Sequence, residues 1–283
     1  MYNGSDTNIR YVCVYRTGYE LSDAEIRDGY SRLGSAIDLP TRFYRHVAGL
    51  VAQSAPPGAR VLDVGCGNGR LLEELAKARP DLELYGFDVA AASVRAARQH
   101  DASWHVVQAS GLQLPFPSDS FDEVTMIEVV EHLKDPVGGL REAARLGRRT
   151  GRVLVTVPNL SSWNPFWRLA EAVPIDLVRR IFLPSEHPLR TLQPIDTAYS
   201  YAELLDLVRR AGLRVDAQHG RAYFPYMLAT LQVMGRSSAS TGGNAERSTE
   251  STLTRWHAEL DRWFGQALPP RLAYRLTLDC SRG

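Results

Sequence analysis

Several things are scarce or missing in this chain of 283 residues, and each absence removes a class of protein. It has only three cysteines, Cys13, Cys66 and Cys280, far apart and without a C-x-x-C pair. That pattern suggests neither a disulfide framework nor a zinc ribbon, and favours buried or incidental thiols in a reducing compartment. No charge predominates: 33 Lys+Arg stand against 32 Asp+Glu, whereas a nucleic-acid-binding surface usually shows a basic excess. No nucleic-acid partner is therefore expected. No run of about 18 apolar residues is present, as a membrane-spanning helix requires. The first twenty residues are polar and lack the apolar stretch of a secretory signal. A cytoplasmic protein is expected. No internal repeat occurs, so a solenoid is not indicated.

What is present is an ordinary globular composition, 44% hydrophobic and 23% charged, and a regular alternation of short apolar runs with amphipathic segments. Ser22 with Glu25 forms a capping-box signature, and Phe43, Val47 and Leu50 recur at helical spacing. "APPG" at 55–58 then breaks the helical pattern. Strands are predicted at 60–65, 83–89, 103–109, 121–129 and 151–158, with helices at 70–80, 91–100 (Ser93 as its cap) and 135–146 between them. Strands that alternate with helices predict an α/β fold with a parallel sheet covered on both faces. A further helix at 200–213, a sixth strand at 214–220, a helix at 253–268 and a closing strand at 272–280 complete the pattern. Residues 235–252, rich in Ser, Thr and Gly, read as a disordered loop.

The chemistry-bearing stretches sit where such a fold binds ligands, beyond the carboxyl ends of the strands. "VLDVGCGNG" has glycines at 65, 67 and 69 between a strand and a helix, where a backbone without Cβ atoms can turn sharply and approach a ligand. The spacing is G-x-G-x-G, not the G-x-G-x-x-G of dinucleotide binders. Asp88 ends the next strand, where a carboxylate can accept both hydroxyls of a ribose. "MIEVVEHLKDP" (126–136) places Glu128, Glu131 and His132 at the end of strand four. Three readings stay open for it: a divalent-metal site, a pocket base at His132, or a structural strand end. His105 lies within strand three and reads as buried or as surface filler.

At these motifs the chain resembles the class I S-adenosylmethionine-dependent methyltransferases. "VLDVGCGNG", "FDV", "LPFPSDSFDEVTMIEVVEHL" and "GRVLVTVPN" match that family's motifs in order and spacing, strongly over residues 58–160. The resemblance implies a Rossmann-like doubly wound sheet of seven strands, mostly parallel with an antiparallel last strand. It implies S-adenosyl-L-methionine as co-substrate and a small, partly apolar acceptor methylated at oxygen. Asp63 would orient the loop and the methionine amino group; Gly65, Cys66 and Gly67 would lie against the cofactor; Asp88 with Val89 would hold the ribose end. Ser110 stands where the family often has an acid for the adenine amine, a departure that weakens that contact. Glu128 would brace the methionine end and, with His132, face the acceptor. "E-x-x-E-H" is similar to the metal-binding spelling of the ubiquinone-pathway O-methyltransferases and of the small-RNA 2′-O-methyltransferases. In that reading Glu128, Glu131, His132 and His187 would be the ligands, and a metal-dependent RNA methyltransferase is the alternative function, beside a non-catalytic module that kept the fold.

The expected division is a helical cover over 1–57, the cofactor core over 58–160, an inserted helical lid over 161–198 and completion of the sheet over 199–283. The insert is aromatic and basic at 161–183, and three readings of it stay open: a lid over an apolar acceptor, an interfacial helix in peripheral contact with anionic lipid, or a helix packed on the domain. Over 160–221 eight Arg meet seven Asp+Glu, which argues against a stripe for RNA. The oligomeric state leaves no trace in the sequence.

Overall fold

The computed structural model describes residues 22–33, 39, 41–110, 114–162, 195, 197, 199–223 and 252–283. The expected loop at 235–252 (all but its last residue) and lid at 161–198 (all but Ser161, Ser162, Ile195 and Thr197) lie outside them, as do Cys13 and His187.

Chain order is α1 (Asp23–Leu33), α2 (Thr41–Ser54), β1 (Arg60–Val64), α3 (Arg70–Ala78), β2 (Glu83–Asp88), α4 (Ala91–His100), β3 (His105–Gln108) and β4 (Phe121–Ile127). A 3-10 turn (Val130–His132), α5 (Pro136–Leu146), β5 (Gly147–Pro158), α6 (Tyr201–Arg210), β6 (Leu213–Arg221), α7 (Thr252–Ala267) and β7 (Arg275–Arg282) follow. The seven strands form one sheet in the order β3-β2-β1-β4-β5-β7-β6. Strands β1 to β5 pair in parallel, and β7 lies antiparallel between β5 and β6. This is the expected α/β class. The last strand in the chain lies between two earlier ones rather than at an edge.

Local chemistry explains the helix starts. The Ser22 hydroxyl and Glu25 carboxylate exchange bonds with each other's backbone amides at the start of α1. Asp135 caps α5 by accepting from Gly138 N (2.8 Å), with Pro136 at the first turn, and Ser200 with Glu203 closes a capping box on α6. Ser93 does not cap α4: the cap position is Ala90, and Ser93 is buried in the first turn. Its place there follows from the short exit of β2, which starts α4 at Ala91.

Alternation along the strands sends side chains into two cores. Leu62, Val64, Val124, Met126, Val153, Val155, Leu276 and Leu278 pack under α5 and α6. Val61, Leu84, Ile127 and Leu154 pack under α2, α3 and α4 with Val47, Val51, Leu71, Leu72 and Leu75. Cys66 and Cys280 are free and buried. His105 is on the surface, stacked on Tyr85 with ring centroids 4.6 Å apart. Among the described residues no helix is long and apolar enough to cross a membrane.

Candidate active site

The loop after β1 is built on backbone bonds. Gly65 N and Cys66 N both donate to Phe87 O (2.9 Å each), which folds the loop onto the exit of β2. Gly65, Gly67 and Gly69 have φ of 73°, 54° and 86°, the left-handed region that L side chains avoid. Their surroundings differ. A Cβ on Gly65 would stand 2.6 Å from Val129 Cγ2, and one on Gly69 2.8 Å from the Trp104 ring, whereas a Cβ on Gly67 would meet nothing within 4 Å. Gly65 and Gly69 are thus glycines of packing; Gly67 borders open space.

Two carboxylates flank that space. Asp88 accepts from Gly67 N (2.9 Å) and Ala90 N (2.8 Å). Burial raises its pKa, and those amide bonds oppose the rise. Asp63 is fully buried and accepts from Thr125 Oγ1 (2.7 Å) on the neighbouring strand. Burial pushes it up to about 7, with Asp88 adding to the effect. Burial likewise pushes the Cys66 thiol well up, so it is a packing group rather than a nucleophile. Val89 follows Asp88, and its carbonyl accepts from Gln108 Nε2 (3.0 Å). Ser110 is exposed just past β3, next to Ala109, whose N–H donates to Asp88 O (3.2 Å). The exits of β1, β2 and β3 therefore lie together.

The turn after β4 forms the other side. Glu128 has φ 53°, and its N–H donates to Thr156 O (3.0 Å). Both of its carboxylate oxygens are engaged: Thr156 Oγ1 donates to Oε1 (3.2 Å) and Arg275 Nε to Oε2 (3.1 Å). Glu131 is buried, and its carbonyl accepts from Thr197 N (2.9 Å). His132 Nδ1 lies 2.7 Å from Ile195 O. A carbonyl can only accept, so Nδ1 carries a proton, and in the neutral ring Nε2 then holds the lone pair. Tyr30 of α1 donates to the same carbonyl (3.0 Å) and sits edge-on to the imidazole at 5.9 Å. Glu131 Oε1 is 3.9 Å from His132 Nε2. Among the described residues no three His, Cys, Asp or Glu side chains gather as a metal-ligand set. Glu128, Glu131 and His132 thus do not converge as ligands.

Comparison with known proteins agrees with this geometry. A family described as a methyltransferase domain matches residues 62–155. A ubiquinone biosynthesis O-methyltransferase of Xanthomonas axonopodis pv. citri is 30% identical over 187 residues, covering 62% of this chain and 71% of the relative. The chain belongs to the S-adenosylmethionine-dependent methyltransferases. A protein of the same name from Bordetella bronchiseptica is 32% identical over 174 residues, covering 59% of this chain and 67% of the relative. Solved structures share the fold. The methyltransferase in complex with the Trm112 activator of Haloferax volcanii has a TM-score of 0.54 at 20% identity, covering 91% of this chain and 97% of that one. Geranyl diphosphate C-methyltransferase of Streptomyces coelicolor A3(2) gives 0.53 at 16%, covering 84% and 78%.

As a methyltransferase the chain takes S-adenosyl-L-methionine as co-substrate, and its residues fit that molecule. Asp63 and Asp88, which have no cationic partner among the described residues, suit a ligand that carries an ammonium and a sulfonium. The open side of Gly67 leaves room for the ligand against the backbone. Sequence reasoning missed Thr125, Thr156, Ile195, Tyr30 and Arg275. Each lies on another element and joins the motif only across the sheet or at the α1 side, so no linear spacing announces it.

Proposed function

We propose that this methyltransferase methylates a hydroxyl of a small, partly apolar acceptor, with His132 as the base. The observation that carries the proposal is the Nδ1 bond to Ile195 O, which leaves a lone pair on Nε2 at the carboxyl end of β4. The O-methyltransferase names of the relatives at 30–32% identity support oxygen as the methylated atom. In this reading 58–160 is the cofactor core and 199–283 completes the sheet; the helical cover at 1–57 is described in part, as α1 and α2, and the inserted lid at 161–198 falls largely outside the described residues.

The co-substrate supplies an activated sulfonium methyl, so the protein's task is alignment and proton removal. Asp63, Gly65, Cys66, Gly67, Asp88, Val89 and Ser110 would hold it, with Glu128 bracing the loop at the acceptor side. His132 Nε2 takes the hydroxyl proton, and the bond from Nδ1 to Ile195 O holds the ring and its tautomer. Glu131 Oε1 lies 3.9 Å from that nitrogen.

The test is methyl transfer from labelled co-substrate to a panel of catechols. His132→Gln lowers kcat by about 100- to 10,000-fold at pH 7 while S-adenosylhomocysteine still binds. Part of the loss returns as the pH approaches about 10, where a phenol ionises without help. An unchanged kcat in the variant removes His132 from the mechanism.

A further inference from the structure

Helix α1 has one inward face. Ile26, Gly29 and Tyr30, three and four residues apart, are partly buried, whereas Ala24, Glu25, Arg27 and Asp28 are exposed. The start of the helix lies by the turn after β4. Glu25 is held below the usual carboxylate range by its bonds with Ser22 and, beyond them, by the charge of Lys134, two residues past His132. Further along, the Tyr30 hydroxyl donates to Ile195 O (3.0 Å), across 165 residues of sequence.

The same carbonyl is already engaged, since His132 Nδ1 lies 2.7 Å from it. A carbonyl oxygen has two lone pairs, so the imidazole takes one and the phenol the other. The chain just after Ile195 is tied down by its own backbone. Thr197 N donates to Glu131 O (2.9 Å), Leu160 N donates to Tyr199 O (2.9 Å), and Asn159 forms a parallel bridge with Tyr199. Tyr30 holds the Ile195 carbonyl itself, from the α1 side. Its ring also stands edge-on to the imidazole, with centroids 5.9 Å apart. Ring and hydroxyl therefore act on one group. The ring limits the tilt of the imidazole, and the hydroxyl aims the oxygen that the Nδ1 proton needs. Three distant pieces of chain meet at one oxygen, and the side chain they orient together is His132.

We propose that Tyr30 is a positioning residue for methyl transfer, acting through His132 by holding the Ile195 carbonyl that keeps the imidazole proton on Nδ1. This rests on the reading of His132 as the base and adds what makes it one. The base is completed from outside the cofactor core, and α1 must be docked for its ring to be held. Tyr30 takes no proton in this role and touches no reacting atom. Its contribution is that of one neutral hydrogen bond, so its loss weakens the hold on the ring severalfold and does not abolish transfer.

The experiment uses the full chain and Tyr30→Phe, which keeps the ring and removes the hydroxyl. With labelled co-substrate and a catechol acceptor, kcat falls about two- to tenfold, while S-adenosylhomocysteine binds as before. In the His132→Gln background Tyr30→Phe lowers kcat no further, because the residue it acts through is gone. A second readout needs no acceptor. Histidines are labelled with 15N, and His132 is assigned by its loss in His132→Gln. At about pH 8.5, two units above an ordinary imidazole, the ring nitrogens show a single Nδ1–H form in the unaltered chain and a mixture of both tautomers in Tyr30→Phe. An unchanged spectrum in Tyr30→Phe overturns the proposal, as does a loss of kcat of the same size in the His132→Gln background. Binding of S-adenosylhomocysteine checks that each variant is folded. Should Tyr30→Phe fail that check, the unaltered chain decides: a mixture of tautomers overturns the proposal and a single Nδ1–H form keeps it. If His132→Gln keeps its kcat while Tyr30→Phe still mixes the tautomers, the base reading fails and the positioning stands. If His132→Gln abolishes transfer and Tyr30→Phe changes neither rate nor spectrum, only the role of Tyr30 fails.

Discussion

The two ends of the proposed site are made in different ways. The cofactor end is assembled from residues 63 to 90, one β-α-β unit, and held by backbone amides: Gly65 and Cys66 on Phe87 O, Gly67 and Ala90 on Asp88. In the proposed reading the acceptor end draws on α1, the turn after β4, β5 and β7, and is held by side chains: Arg275 on Glu128, Thr156 on Glu128, Tyr30 and His132 on Ile195 O. The difference follows from the ligands. A constant co-substrate can be met by a constant backbone loop, whereas an acceptor is selected by side chains that long-range topology brings together. The first end should tolerate change at its far neighbours and fail on a change in the loop. The second should fail on a single distant side chain.

Arg275→Gln tests the distant side chain and has the largest expected effect on stability. It leaves the Glu128 carboxylate, 13% exposed, without its counter-ion on a backbone already at φ 53°. Removing one partner of such a buried pair costs about 3 kcal/mol. The midpoint of chemical denaturation measures this, and Arg275→Met combined with Glu128→Gln recovers much of the loss because no charge is left unpaired. A midpoint that does not move in the single variant would mean that the two ends are held alike.

A pair of glycine substitutions examines the loop. Gly65→Ala combines a left-handed φ with a clash against Val129, and lowers stability by about 2 kcal/mol. Gly67→Ala meets only the conformational cost, about 1 kcal/mol. Its Cβ projects into open space, so it impairs S-adenosylhomocysteine binding more than Gly65→Ala does. Thermal melts with and without that ligand separate the two. The contrast collapses if both variants lose stability and affinity in the same proportion.

The same difference explains what could be read from the sequence. The order of strands and helices from 60 to 158 was legible because alternation, "APPG" and the glycines mark it locally. That Asp63, Gly67 and Asp88 lie close together was legible because residues 63 to 90 form one contiguous β-α-β unit. Ser93 misled, since a serine near a helix start looks like a cap whether or not the backbone places it one turn early. Glu128 was expected from its motif, but not that Arg275, 147 residues further on, would occupy its Oε2. Nor did any pattern show that His219, in a strand read as "RVDAQHG", and Arg221 just past it face His46 of α2. Antiparallel pairing of β7 with both β5 and β6 creates those contacts, and a pairing between distant strands leaves no linear spacing.

The smallest effect expected is also the one that probes the cofactor end without altering it. Burial raises the folded pKa of Asp63 from its ordinary value to about 7, because the ionised form lacks water and stands near Asp88. A raised acid contributes stability that is fully present below its unfolded pKa, about 4, and is lost as the pH rises through 7. The free protein therefore loses stability from this group between those values. A ligand with an ammonium group favours the ionised carboxylate and reverses the sign. S-adenosylhomocysteine affinity should rise on the order of tenfold from pH 6 to 7.5, with protons released on binding in the same interval. Above about pH 8 the ligand's own amine begins to lose its charge, and the gain ends. In Asp63→Asn, where nothing titrates, the affinity is lower and the rise disappears. Calorimetry in buffers of different ionisation enthalpy counts the protons directly. A flat profile in the unaltered chain would mean that the ammonium does not meet Asp63 and that Thr125, not the ligand, is its permanent partner.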